Sequence, residues 1–245
     1  MRTSKIIILA VSALVVTNVL IMGLFNFFKK SPEPVKVMAG PYADSSTNII
    51  YNLLFCDNIE LYKSRVPQPY TYPFNILFSE NSTIDMLQTV IDDTSIDVRT
   101  KVLAYNAQRN LGDKPIKKEL LAVIVEVGLD NGLDVLASFK DGTARYINQT
   151  GKILVWETSD SVSSTLTKDL FVKGNAIIKQ IGPWDKARLS APLKGNVRIT
   201  FLVSDGLYFG EGPIEVLFND SMAGPTLTCA TQLMQYLTQT ALQNQ

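Results

Sequence analysis

Residues 120–157 read LLAVIVEVGLDNGLDVLASFKDGTARYINQTGKILVWE, and this passage decides the fold. Its first eight residues, LLAVIVEV, form a continuous apolar, β-branched run of the kind found in a central strand. Asp130-Asn131-Gly132, Asp141-Gly142 and Thr150-Gly151 then separate apolar runs at 133–139, 144–148 and 153–157. Such glycine-bearing pairs supply the positive φ that tight hairpins need, so the spacing predicts a four-stranded antiparallel meander.

Working outward, the period becomes helical on both sides. Val98, Val102, Leu103 and Asn106 share a spacing that predicts a helix to Asn110, opened at Ser95-Ile96-Asp97 and stopped by Leu111-Gly112-Asp113. Ser82-Thr83-Ile84-Asp85 has capping-box form and opens another helix, with Ile84, Leu87 and Ile91 on one face. The stretch 63–74 carries Pro67, Pro69 and Pro73 and reads as irregular. Residues 48–56 (NIIYNLLFC) suit a short helix or a buried strand, and length leaves both open. Beyond the meander come a helix at 161–181, strands at 197–203 and 206–209, a helix start at Pro213 and a closing helix at 225–242. The fold class expected is α+β: a largely antiparallel sheet with helices packed on one face.

Residues 6–28 (IIILAVSALVVTNVLIMGLFNFF) contain no charge and no proline. As a helix they would span roughly 35 Å, enough for a hydrocarbon core of ~30 Å. The run is long for a signal peptide and ends in Phe25-Asn26-Phe27-Phe28, a poor cleavage site. A single-pass anchor is therefore expected, with a tail at 1–5, a Pro-containing linker at 29–44 and a soluble domain at 45–245. Arg2 and Lys5 face Lys29, Lys30 and Lys36 across the span, so the charge rule sets orientation weakly and tips it slightly toward a soluble domain outside the cytoplasm. Asn18 is a polar side chain at mid-membrane depth, suited to self-association through an interhelical hydrogen bond.

The chain has 245 residues, 46% of them hydrophobic, with 23 basic and 23 acidic side chains, two cysteines and no histidine. Without imidazole there can be no Ser-His-Asp or Cys-His nucleophile and no HExxH zinc site. The N-terminal segment takes five of the basic residues (Arg2, Lys5, Lys29, Lys30 and Lys36) and only Glu33 of the acidic ones, which leaves the soluble domain mildly acidic. Such a surface is unsuited to nucleic acid. Cys56 and Cys229 can form a disulfide if the domain is exported, or serve as small buried hydrophobes if it is not.

Other motifs resolve to ordinary roles. Asp130 and Asp134 lack the alternating ligands and distal glutamate of a calcium loop, and Asp92, Asp93 and Asp97 suit a helix N-terminus. Gly206, Gly210 and Gly212 have neither P-loop nor Rossmann spacing. No metal and no cofactor are expected. Arg145, Tyr146, Trp156 and Glu157 are the candidate interaction patch, since Arg, Tyr and Trp often anchor interfaces; packing within the sheet is the competing explanation.

The pieces Gly132-Leu133-Asp134-Val135-Leu136-Ala137, Asp141-Gly142, Ala144-Arg145-Tyr146-Ile147-Asn148, Gly151-Lys152 and Trp156-Glu157 together resemble a segment of uncharacterised bacterial membrane-anchored proteins. That resemblance implies a bacterial origin and brings no activity, cofactor or substrate with it. The function expected is a membrane-anchored protein-interaction or scaffold module with a protein partner. The alternatives are a histidine-independent hydrolase using paired carboxylates such as Glu211 and Glu215, or a Thr165–Lys168 type pair, and a small-ligand or lipid-binding domain with a large apolar cavity.

Overall fold

The structure is a computed structural model that describes residues 40–113, 115, 117–158 and 160–243. The expected span at 6–28, with Asn18, lies outside the described residues. Among the described residues no helix is long and apolar enough to cross a membrane.

The meander forms as its turns predict. Strands β1 (Leu120–Leu129), β2 (Gly132–Phe139), β3 (Ala144–Ile147) and β4 (Ile153–Trp156) pair antiparallel in sequence order. Gly142 and Gly151 hold φ of 88° and 82° at two of the hairpin turns. β5 (Asn196–Val203) returns to the free edge of β1, and β6 (Gly206–Pro213) follows it, giving the order β4-β3-β2-β1-β5-β6. Every pair is antiparallel. The sheet is the expected one, with β6 running four residues past the expected end.

Before the sheet come α1 (Ser45–Leu53), α2 (Ile59–Lys63), α3 (Phe74–Leu77), α4 (Ile84–Asp92) and α5 (Val98–Asn110). Between β4 and β5 lies α6 (Ser161–Ile178), and after β6 come α7 (Ile214–Asn219) and α8 (Ala223–Gln243). Caps fix the starts. The Thr83 side chain accepts from the Met86 amide, Asp97 accepts from Arg99 and Thr100, and Asp160 with Ser163 closes a reciprocal capping box at α6. Of residues 48–56, 48–53 form the body and end of α1 and 54–56 the turn that leaves it.

Helices cover both faces of the sheet, which corrects the one-face expectation. On the first face Leu87, Val90, Val102 and Leu103 pack with Ala122, Ile124, Val135, Ala137 and Phe139. On the second, Leu170, Ile178, Leu227 and Leu233 pack with Val123, Val125, Leu136, Ile199 and Phe201. The physical reason lies in β1 itself: both of its alternating sets of side chains are apolar and buried from Leu120 to Val125, and a strand of that kind needs a cover on each side.

Two glycines let neighbours approach closely. A Cβ on Gly174 of α6 would stand 3.0 Å from Leu120 Cδ2 and 3.1 Å from Phe201 Cε1. A Cβ on Gly128 of β1 would stand 2.2 Å from the Leu193 carbonyl oxygen, which is backbone and cannot rotate away. We predict that Gly128→Ala lowers stability by about 1–3 kcal/mol. Gly210→Ala, where a Cβ meets nothing within 4 Å, shifts it by less than about 0.5 kcal/mol. Urea midpoints of the two variants measure the contrast.

Candidate functional site

The first face carries charge in its centre. Register aligns Glu126 of β1 with Arg198 of β5, and Arg198 with Glu211 of β6. Glu126 is 0% exposed and Arg198 4%. Tyr51 of α1 donates its hydroxyl hydrogen to Glu126 Oε1 at 2.6 Å. Glu126 Oε2 lies 3.6 Å from Arg198 Nη1 and accepts no hydrogen bond. Burial pushes the Glu126 carboxyl above the usual carboxylate range, against the pull of the Tyr51 hydrogen bond and the Arg198 and Arg188 charges.

Arg198 then reaches outward. Its Nε donates to Glu211 Oε2 at 2.8 Å, and its Nη2 donates to the Ser190 carbonyl at 2.7 Å. Ser190 belongs to a strap at 183–195 that leaves α6, crosses the edge of the sheet and runs over the first face to β5. The strap is pinned at three places. The Trp184 amide donates to Leu207 O at 2.7 Å. Arg188 donates to Asp57 Oδ2 at 2.7 Å and Asn52 Oδ1 at 2.8 Å, its guanidinium 3.8 Å from the Phe55 ring centre. The Gly195 amide donates to Gly128 O at 2.9 Å.

Between the strap, α2, α5 and the β5–β6 turn lies a cleft of about 740 Å³. Its walls carry Arg109, Arg188, Lys186, Asp57, Asp205 and the half-buried Trp184. Arg109 is fixed by the Ser204 carbonyl at 2.6 Å and by Asn106 Oδ1. Burial lowers the Arg109 pKa and the nearby Asp205 charge raises it. Asp205 accepts the Tyr208 hydroxyl at Oδ2, 2.9 Å away, while its buried Oδ1 accepts no hydrogen bond from the described residues. The cleft therefore presents fixed guanidinium groups, carboxylates and an indole. It can hold a polar ligand; no described nucleophile in it is paired with a base.

Two smaller hollows bear on the other expectations. One of about 480 Å³ is lined by Lys117, Lys140 and Lys168, where Lys140 pairs with Glu119. Thr165, one turn before Lys168, gives its hydroxyl hydrogen to Ser161 O at 2.8 Å. The hollow between the sheet and α8 is only about 70 Å³, too small for an acyl chain.

The four residues of the expected patch do not form one surface. Arg145 lies on the first face, 6% exposed, bonded to Ala144 O at 2.8 Å and ion-paired with Glu157. Tyr146 and Trp156 turn to the second face, where Tyr146 donates to Asp134 Oδ2 at 3.0 Å and Trp156 meets Tyr236 edge-on at 6.2 Å. Asp130 pairs with Lys194, Asp134 also accepts the Gln149 amide, and Glu211 is tied to Arg198 rather than to Glu215. Asp97 caps α5, as the helix-start reading expects, but Asp92 and Asp93 lie at the C-terminus of α4, where Asp93 accepts the Ser95 amide in the following turn. Among the described residues no cluster of acidic side chains and cysteines has the makings of a metal site.

Cys56 and Cys229 are free thiols, and the sheet stands between them: Cys56 is in the core of the first face, Cys229 against that of the second. They do not pair. No known protein family matches the chain, and no curated protein matches it significantly.

Sequence reasoning passed over Glu126 and Arg198. Their signal was a single charge inside each of two apolar strand runs, VIVEV and VRITF, where a charge must find a partner.

Because the folded state raises the Glu126 pKa, it binds that proton more tightly than the unfolded chain does. This contribution is full below the ordinary carboxylate range and is lost as pH rises through the raised value. Glu126→Gln is expected to gain on the parent protein between pH 5 and pH 8 in urea midpoints; a constant difference would contradict the assignment. Burial also pushes the Cys56 thiol up to about 12, so in native protein at pH 8 alkylation should reach Cys229 alone, with Cys56 reacting only on denaturation.

Proposed function

We propose that the chain is a membrane-tethered binding module: residues 6–28 hold it in the bilayer, and the cleft beneath the strap recognises a polar segment of a protein partner. The observation that carries this reading is that the charged side chains of the cleft are already held by the fold. Arg188 is fixed by Asp57, Asn52 and Phe55, and Arg109 by Ser204 and Asn106. A partner meeting preset donors and acceptors gives up less conformational freedom than one that must order them. The placement of the domain outside the cytoplasm and self-association through Asn18 belong to the same proposal.

The volume favours a second reading. A cleft of about 740 Å³ falls within the range of small-molecule sites, and its walls carry Arg109 and Lys186, which suit a polar ligand. The hydrolase and lipid alternatives have weaker support. Thr165 spends its hydroxyl on its own helix, and the hollow under α8 is small.

A photoreactive phenylalanine analogue placed at Lys186, on the cleft wall, tests the proposal in native membranes against the same analogue at exposed Lys173 on the second face. A discrete protein adduct at 186 and none at 173 is the expected result. Adducts at both positions, or at neither, count against a cleft that recognises protein. Native mass spectrometry of the purified full chain reads the second possibility directly, as a retained small mass lost on Arg109→Ala.

A further inference from the structure

β6 forms one edge of the sheet, and its outer side is only partly closed. Trp184 and Leu207 make an isolated antiparallel bridge there, through the Trp184 amide and the Leu207 carbonyl at 2.7 Å. Backbone groups in an antiparallel strand alternate sides, so those of Phe209 and Glu211 point outward with those of Leu207. Among the described residues none bonds these outward groups. Gly210, between them, has open space where a Cβ would be.

The side chains of the first face add a chemical pattern to this open lane. Glu126, Arg198 and Glu211 lie in one row across β1, β5 and β6, acid, base, acid, and the row ends at the edge on Glu211. Arg198 takes Glu211 Oε2; among the described residues none hydrogen-bonds Oε1, and the side chain is 23% exposed. One row along, Phe209 presents its ring, held edge-on to Trp184 at 5.1 Å.

We propose that the 209–213 edge of β6 is a docking lane for an extended basic peptide segment, added antiparallel as a seventh strand. A Lys or Arg of the segment sits opposite Glu211, and an apolar residue two positions further toward its C-terminus sits opposite Phe209. The added base continues the charge alternation of the row, and the opened N–H and C=O groups of Phe209 and Glu211 enter a ladder. A second copy of this chain is a poorer occupant. β6 reads GLYFGEGP and contains no basic residue, so two such edges paired about a two-fold axis never place a base opposite Glu211. The lane lies outside the cleft, and its occupant need not be the partner that the cleft holds.

The test uses the full chain in detergent micelles and a disulfide-closed β-hairpin whose free edge reads Thr-Thr-Lys-Thr-Val-Thr. A second hairpin carries Glu in place of Lys. At millimolar hairpin the Lys form is expected to slow amide exchange of Phe209 and Glu211 by about tenfold or more, and the Glu form to leave both unchanged. Glu211→Gln, which keeps an acceptor for Arg198, should weaken the Lys hairpin by about two- to fivefold while its fold, read by the protected β5 amides, persists. No protection by the Lys hairpin overturns the proposal. Equal protection by both hairpins, or binding indifferent to Glu211→Gln, overturns its charge rule and with it the assigned occupant.

Discussion

A carboxylate in the middle of the central strand, with no access to water, constrains everything around it. Glu126 must be desolvated when β1 is covered, and only nearby hydrogen-bond donors and positive charge offset that cost. Tyr51 comes from α1, and Arg198 comes from β5. Arg198 in turn has more donors than Glu126 can accept, so it binds Glu211 and the strap carbonyl at Ser190. Removing one member of such a network typically costs about 3–5 kcal/mol, whereas replacing the whole set with apolar residues can be neutral. The network therefore earns its place by fixing one arrangement: α1, β5, β6 and the strap can meet in one register.

This gives the two faces different work. The buried charges of the strands, Glu126, Arg145 and Arg198, all project from the first face, together with Glu211. The second face holds Leu, Ile, Val and Phe against α6 and α8, with Gly174 drawing α6 close to β1 and β5. Buried charge gathers on the first face, while the opposite layer supplies mainly apolar packing.

Local chemistry made much of this readable from the sequence. The turn glycines, the helix stops and the strand runs of the meander each depend on residues within a few positions, and the structure has them in place. What depends on distant partners was harder. The start of α7 at Pro213 was legible although the helix has no buried residue, but α2 and α3 are too short to show a period. The Glu126–Arg198 pairing exists because β5 lands beside β1 rather than beside β4, a fact of topology that no local window contains. The distribution of the candidate patch over two faces follows from a rule already in hand: neighbours in a strand point to opposite faces, which separates Arg145 from Tyr146. Helices on both faces were likewise implied by a strand whose two sides are equally apolar.

The strand order also has a consequence for the chain as it is made. Translation delivers β1 to β4 as a complete meander, and α6 next, before any of β5 exists. During that interval the side of β1 reserved for β5 is an open edge, and Glu126 has no guanidinium beside it. The first-face helices α1 to α5 are already made by then, whereas the second face has α6 but still lacks α8. A ribosome-bound intermediate with an unpaired β1 is thus written into the order of synthesis, and the arrival of β5 both brings Arg198 beside Glu126 and seals the edge.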